Sequence, residues 1–380
     1  MKPLFYFLLI VALFSLENQL QAQCNGVSKP DSLKLMNLYY TLGGADWTDN
    51  SGWLVEPVSE WFGVTLSEDG CNVIELNFYI NWLTGNIPNI NLPHLERLYL
   101  MENGLYGVIP NFSHLQKLEE LYLSRNLLEG NIPDFSNLPK LFELGLNYNQ
   151  LTGSIPNFSN IPNLRITYLN NNQLTGYIPD FTNFPNLDHL NLSRNQLSGS
   201  IPNFTNAPKI GYLDLSNNQL SGNIPDFTNL PNLEVVGLSN NQLSGNIPNF
   251  TNLLSLEKMY LSDNNLSGII PNFSSLPNLR YFFLEENQLT GYIPKFNNSP
   301  KLYDLKICPN NLIGVIPTFE PFHSSNLKYT DFSCIQTPIL TGTAFHDQNQ
   351  NCLQDEGEQP LKNTKITTND NQYSTFTDEN

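Results

Sequence analysis

Apolar positions recur with one spacing through most of this chain. The stretch Leu213-Asp-Leu-Ser-Asn-Asn-Gln-Leu-Ser-Gly-Asn-Ile-Pro-Asp-Phe-Thr-Asn-Leu-Pro-Asn-Leu233 shows the pattern: Leu-x-Leu, then Asn, Leu, Gly, Ile-Pro, Phe and Leu. With the proline as origin, copies sit at Pro88, Pro110, Pro133, Pro156, Pro179, Pro202, Pro225, Pro248, Pro271, Pro294 and Pro317. The first step is 22 residues and the other nine are 23. Such a period marks a solenoid, in which each unit buries its apolar face only against its neighbours. The Leu-x-Leu alternation predicts a short strand with both leucines inward, and stacked coils then lay these strands in a parallel sheet about 4.8 Å apart.

Polar positions repeat as strictly. An asparagine stands seven residues before every proline, from Asn81 and Asn103 through Asn218 to Asn310. Where the chain turns inward, backbone groups lose water, and a buried amide that both donates and accepts can satisfy them. These asparagines are therefore expected to be structural. A glycine three before the proline, Gly85 through Gly314, predicts backbone geometry that a side chain would obstruct. Ile-Pro favours an extended conformation. A phenylalanine two after the proline, from Phe112 to Phe319 with Ile90 the exception, predicts a second internal spine away from the sheet.

The LxxLxLxxNxLxGxIP pattern over Leu76 to Thr318 resembles the plant-type class of leucine-rich repeats, each unit being one residue shorter, as in bacterial secreted members. The resemblance implies an α/β-type, β-rich solenoid: a curved right-handed coil with a parallel sheet on its concave face. It also implies recognition by that face, and it does not imply catalysis. Residues 23–75 read as an N-terminal cap, with a helix over Asp31 to Tyr40 starting at Asp31 or Ser32, and the string GGADWT…GWL…WFGV resembles the caps of such proteins. The cap tryptophans are expected to cover the first coil. Residues 76–337 hold eleven repeats and a closing half-coil.

Side chains pointing out of the strands are free of the repeat's demands, so they carry the candidate specificity. Eleven and thirteen residues before the proline, the aromatic ones are Tyr99, Tyr122 and Tyr168 in one group, with Tyr148 on the rim. Tyr260, Tyr281 and Phe283 form another, and Tyr212 lies between. Aromatic columns suit protein hot spots or sugar stacking. They would also stabilise a sheet through cross-strand contacts. Both readings stay open for any single tyrosine; the clusters point to a partner, an extracellular protein or glycan.

Charge narrows the partner. The chain carries 18 Lys and Arg against 35 Asp and Glu, a net charge of −17, which repels nucleic acid and anionic membranes. Residues 1–22 read as a secretory signal, with Lys2, an apolar run from Leu4 to Phe14 and Leu20-Gln-Ala22 before the cut. That run is short of the roughly 20 residues of a membrane span, so the expected location is secreted or cell-surface. The expected disulfides are Cys24–Cys71 and Cys308–Cys334. No HExxH, GxSxG, Walker loop or CxxC occurs, so no catalysis is expected; the alternative is a cell-envelope carbohydrate hydrolase using the coils as a platform.

After Pro338 the repeat stops. Asp347, Asn349, Asn351, Leu353 through its carbonyl, Asp355 and Glu358 fall at the ligand positions of a twelve-residue calcium loop, with Cys352 where glycine is usual. Strands are expected at Lys365-Ile-Thr-Thr and Tyr373-Ser-Thr-Phe-Thr. GTAFHDQNQNCLQDEGEQPL resembles calcium-binding B-type β-sandwich modules of bacterial adhesins, so residues 338–380 are expected to begin such a module, incomplete here, and to bind Ca2+.

Overall fold

The computed structural model describes residues 29–314, apart from 182–183, 274–275 and 297–298, together with the backbone of 365–367 and 374–376. One 12-stranded sheet runs the length of the solenoid. Its first strand, Val64–Leu66, pairs antiparallel with Val73–Asn77 in the cap. From there each coil adds one parallel strand, ending at Asp304–Lys306. Partners are one repeat apart: Ile166 faces His189, and Tyr212 faces Val235. Leu213 and Leu215 are fully buried, as the alternation requires, and their equivalents above and below form one continuous core.

A second set of short parallel strands flanks the first, in runs of four, five and two. Here the step is 21 residues rather than 23, so Ser198 faces Gln219 and Asn223 faces Ser244. The phenylalanine spine exists: Phe181 and Phe204 stack with centroids 6.4 Å apart, and Ile90 fills the same column. Its backbone was not legible. Phe204 has φ 49° and Phe227 φ 51°, left-handed values that bulky residues rarely adopt. Full burial of the ring offsets that strain, since each such side chain contributes about 1.5–3 kcal/mol on leaving water.

The asparagine ladder closes the turns. Asn195 Nδ2 donates to the Leu169 carbonyl of the preceding coil at 3.0 Å and to Leu192 O at 3.1 Å, while Oδ1 accepts from Leu174 N at 3.0 Å. The glycine three before each proline has positive φ, 74° at Gly153, where an added Cβ would lie 2.3 Å from Asn131 Oδ1.

In the cap, the helix α1 (Lys29–Thr41) begins ahead of the expected Asp31 or Ser32. Pro30 fits its first turn, where no N–H is needed, and Asp31 instead pairs with Lys34 at 2.9 Å. Trp47, Trp53 and Trp61 are buried over the first coil, Trp47 lying 4.9 Å from Phe78, and each indole N–H donates to a backbone carbonyl. Cys71 is a free thiol donating to Asp69 O, so the expected Cys24–Cys71 bridge is not made; the turn holds its sulfur locally. Lys365–Thr367 and Ser374–Phe376 pair antiparallel, as strands expected there would. Residues 1–22, Cys24, Cys334, Cys352, the closing half-coil and the calcium loop from Asp347 to Glu358 lie outside the described residues.

Candidate binding surface

The register of the concave sheet decides which outward side chains meet. Tyr99 and Tyr122 are direct neighbours, with ring centroids 5.8 Å apart. Their hydroxyls are already engaged: Tyr99 donates to the Glu120 carboxylate, and Tyr122 to Glu143 Oε2 at 2.5 Å. Burial first, and then these bonds to carboxylates, push both phenols well above their usual range. Tyr122 lies over Gly145, where a Cβ would come within 2.5 Å of the ring. Tyr168 continues the column beyond that gap, its phenol raised by burial and then by Glu143 and Asp188. Tyr148 is on the rim, with the Arg125 guanidinium 4.4 Å over its ring.

The second cluster has its own cations. Tyr260 and Phe283 meet at 5.1 Å, Lys306 sits 4.3 Å over Phe283, and Lys258 sits 5.6 Å over Tyr281. Such contacts orient charge and ring together. Tyr212 stands apart from both clusters. It stacks on His189 at 5.5 Å and 8°, and its phenol is pushed up to about 12 by burial and then by Asp214.

Between the clusters the surface dips. One hollow of about 670 Å³ is lined by Arg165, Asp188, His189, Gly211, Tyr212 and Glu234, among others. A second, of about 240 Å³, is lined by Tyr212, Asp214, Val235, Gly237 and Tyr260. They meet at Tyr212 and Val235. Sequence reasoning passed over this trough because it looked for large side chains, whereas Gly211, Val235 and Gly237 make it by being small. A run of small residues in the outward columns, between coils with large ones, was the available signal. At its edge Arg165 pairs with Asp188 at 3.7 Å, His189 Nδ1 lies 3.3 Å from the same carboxylate, and Lys209 Nζ donates to Asn186 Oδ1 at 2.8 Å.

Among the described residues no group of His, Cys, Asp or Glu is placed to hold a metal ion, and no helix is long and apolar enough to cross a membrane. The six calcium-loop residues are outside that set.

A coil of parallel strands, a buried asparagine ladder and a concave face of variable side chains define a repeat-built recognition scaffold. The leucine-rich repeat family profiles match residues 93–151, 186–206, 209–230, 232–253 and 255–276. Solved structures agree. The plant peptide hormone receptor RGFR1, in complex with RGF2, is 33% identical with a TM-score of 0.64, over 71% of this chain and 44% of that one. PEPR1 with AtPEP1 is 30% identical with a TM-score of 0.62, over 76% and 46%. A plant ice-binding protein is 33% identical with a TM-score of 0.63, over 70% of this chain and 89% of its own. The chain belongs to the leucine-rich repeat family, of the extracellular type. It spans less than half the length of the two receptor structures. No curated protein matches it.

Proposed function

We propose that this is a secreted or cell-surface binding protein that grips a peptide or protein segment along its concave face. One observation carries the reading: the trough at Tyr212 and Val235, flanked on both sides by aromatic clusters. A chain laid along it would bury side chains in the hollows while the rings supply rigid contact area. RGFR1 was solved with a peptide hormone on a similar solenoid, which supports the reading without naming this ligand. A protein and glycan array with wild type and Tyr260→Ala, Tyr281→Ala and Phe283→Ala tests it. Capture of protein ligands that these variants lose is the expected result. Unchanged capture rejects the role of the face, and capture of glycans alone moves the partner to the other class.

We also propose Ca2+ at Asp347, Asn349, Asn351, Leu353, Asp355 and Glu358, a reading supported by their loop spacing. Calorimetry of the whole chain that shows no heat of Ca2+ binding rejects it.

A further inference from the structure

The two faces of the solenoid differ in charge more than in anything else. On the concave side, the positions fourteen, thirteen and eleven before the proline give thirty residues in the ten coils from Pro88 to Pro294, and thirteen of them are charged. On the flanking sheet, the positions six, four and two before the proline also give thirty residues, and Glu129 is the single charged one. All three flanking positions point outward between buried leucines and isoleucines. Nothing in the coil forbids charge there, since Glu129 is exposed in the same strand geometry. A molecule of net charge −17 has nevertheless kept this flank neutral except at Glu129.

What occupies that flank instead is mostly amide, hydroxyl and ring, with Val108, Leu127 and Ile269 the exposed aliphatic exceptions. In the middle coils Asn223, Ser244 and its neighbour Asn265 face one another across three strands, at the roughly 4.8 Å repeat of a sheet. In the first, second and fifth coils, aromatic rings stand clear of the surface: Trp82 is 72% exposed, Tyr106 53% and Tyr177 74%. Charge is depleted at surfaces that bind, because a desolvated unpaired charge is costly. A protein partner would want an apolar centre, and the three successive coils of Pro202, Pro225 and Pro248 present only amides and hydroxyls on this flank. A second copy would bring two strongly negative molecules together. Sugar rings match both features: their hydroxyls donate and accept as the amides do, and their C–H faces stack on aromatic rings.

We propose that the flanking sheet is a second binding face, for an uncharged polysaccharide strand lying across the coils, with Trp82, Tyr106 and Tyr177 as stacking positions. This face is separate from the concave one and does not rest on its reading.

Affinity electrophoresis of the full chain in gels containing hydroxyethylcellulose, glucomannan or dextran, with polygalacturonate as the anionic control, tests the proposal. At least one neutral polymer is expected to retard the protein. Retardation should persist from about 0.1 to about 1 M salt, over which the screening length falls from about 10 to about 3 Å. Tyr106→Ala and Tyr177→Ala should each weaken it about three- to tenfold, the scale of one aromatic contact. Both side chains are exposed, so thermal melts of the variants should match wild type. Several outcomes overturn the proposal: no retardation by any neutral polymer, retardation only by polygalacturonate, or retardation abolished by salt. Loss in Tyr281→Ala with none in Tyr177→Ala would place the polymer on the concave face and overturn it equally.

Discussion

The Tyr122 hydroxyl donates to the Glu143 carboxylate one coil further on, 2.5 Å away. The same diagonal joins Tyr99 to Glu120. Each tyrosine therefore does two things: its hydroxyl ties adjacent coils together, and its ring remains as contact surface. The hydroxyl bond makes both residues sheet stabilisers, and it leaves their rings free for the partner contact proposed above.

Tyr122→Phe separates the roles. Removing the hydroxyl leaves a half-buried carboxylate without its donor, so the solenoid should lose about 1 kcal/mol, less than the roughly 1.5–3 kcal/mol of a charged hydrogen bond because the pair is partly exposed. Guanidinium unfolding checks this, while partner affinity should fall less than in Tyr122→Ala, which removes the ring as well.

The raised phenols also set an alkaline limit. Folding favours the neutral phenol at Tyr99, Tyr122 and Tyr212, the last titrating at about 12. The stability they add is fully present below the unfolded phenol value of about 10 and is lost as pH rises from there toward the folded values. Melting temperature should be insensitive to these groups between about pH 7 and 9 and fall above about pH 10. Phenolate absorbance followed through the same range should show a late-titrating fraction, and its absence would show that these hydroxyls are not held.

Asn195 tests the ladder. Its buried amide donates to the carbonyls of Leu169, Leu192 and Ser193 and accepts from Leu174 N. Asn195→Ala should cost about 3 kcal/mol, several unsatisfied backbone groups together. Asn195→Asp keeps the acceptor for Leu174 N but turns these donations into carboxylate–carbonyl repulsion, so it should be at least as damaging near neutral pH. Denaturant midpoints of the two variants decide the matter.

Legibility followed repetition. Leu213 and Leu215, Asn195 and the Phe204 column were readable because each role recurs in every coil, and stacking identical coils leaves one register for the concave sheet. The 21-residue step that sets Ser198 against Gln219 was hidden, because strand length and twist on the flank set it and no residue type marks it. The positive φ of Phe204 was hidden for the reverse reason, since phenylalanine is the last residue expected there. Tyr122 and Glu143 were each visible in their outward columns, but their contact runs diagonally between columns. The trough escaped because it is made where Gly211 and Gly237 have no side chain to notice.

That trough can be filled without touching the core. Val235 points outward between the two hollows. Val235 is only partly buried and faces the hollows, so Val235→Trp should change unfolding by no more than about 1 kcal/mol. For a protein ligand taken from the array, it should lower affinity at least about tenfold, near 1.4 kcal/mol. Titration calorimetry showing unchanged affinity would mean that the ligand does not enter the trough.

Thr167 breaks the repeat inside the sheet. It stands where its strand neighbours carry Leu144 and Leu190, it is fully buried, and its hydroxyl has no hydrogen-bond partner. A hydroxyl held this way gives up its bonds to water and gains none. Thr167→Val keeps the shape and removes the polar atom, so it should stabilise the solenoid by about 1–2 kcal/mol. Thr167→Leu matches the neighbours but adds bulk to a site packed around threonine, and overpacking opposes the gain. Denaturant unfolding of both variants is the measurement. A Val variant less stable than wild type would show that the hydroxyl is satisfied in solution, and the repeat's single inward threonine would then have to be read as a polar contact rather than a defect.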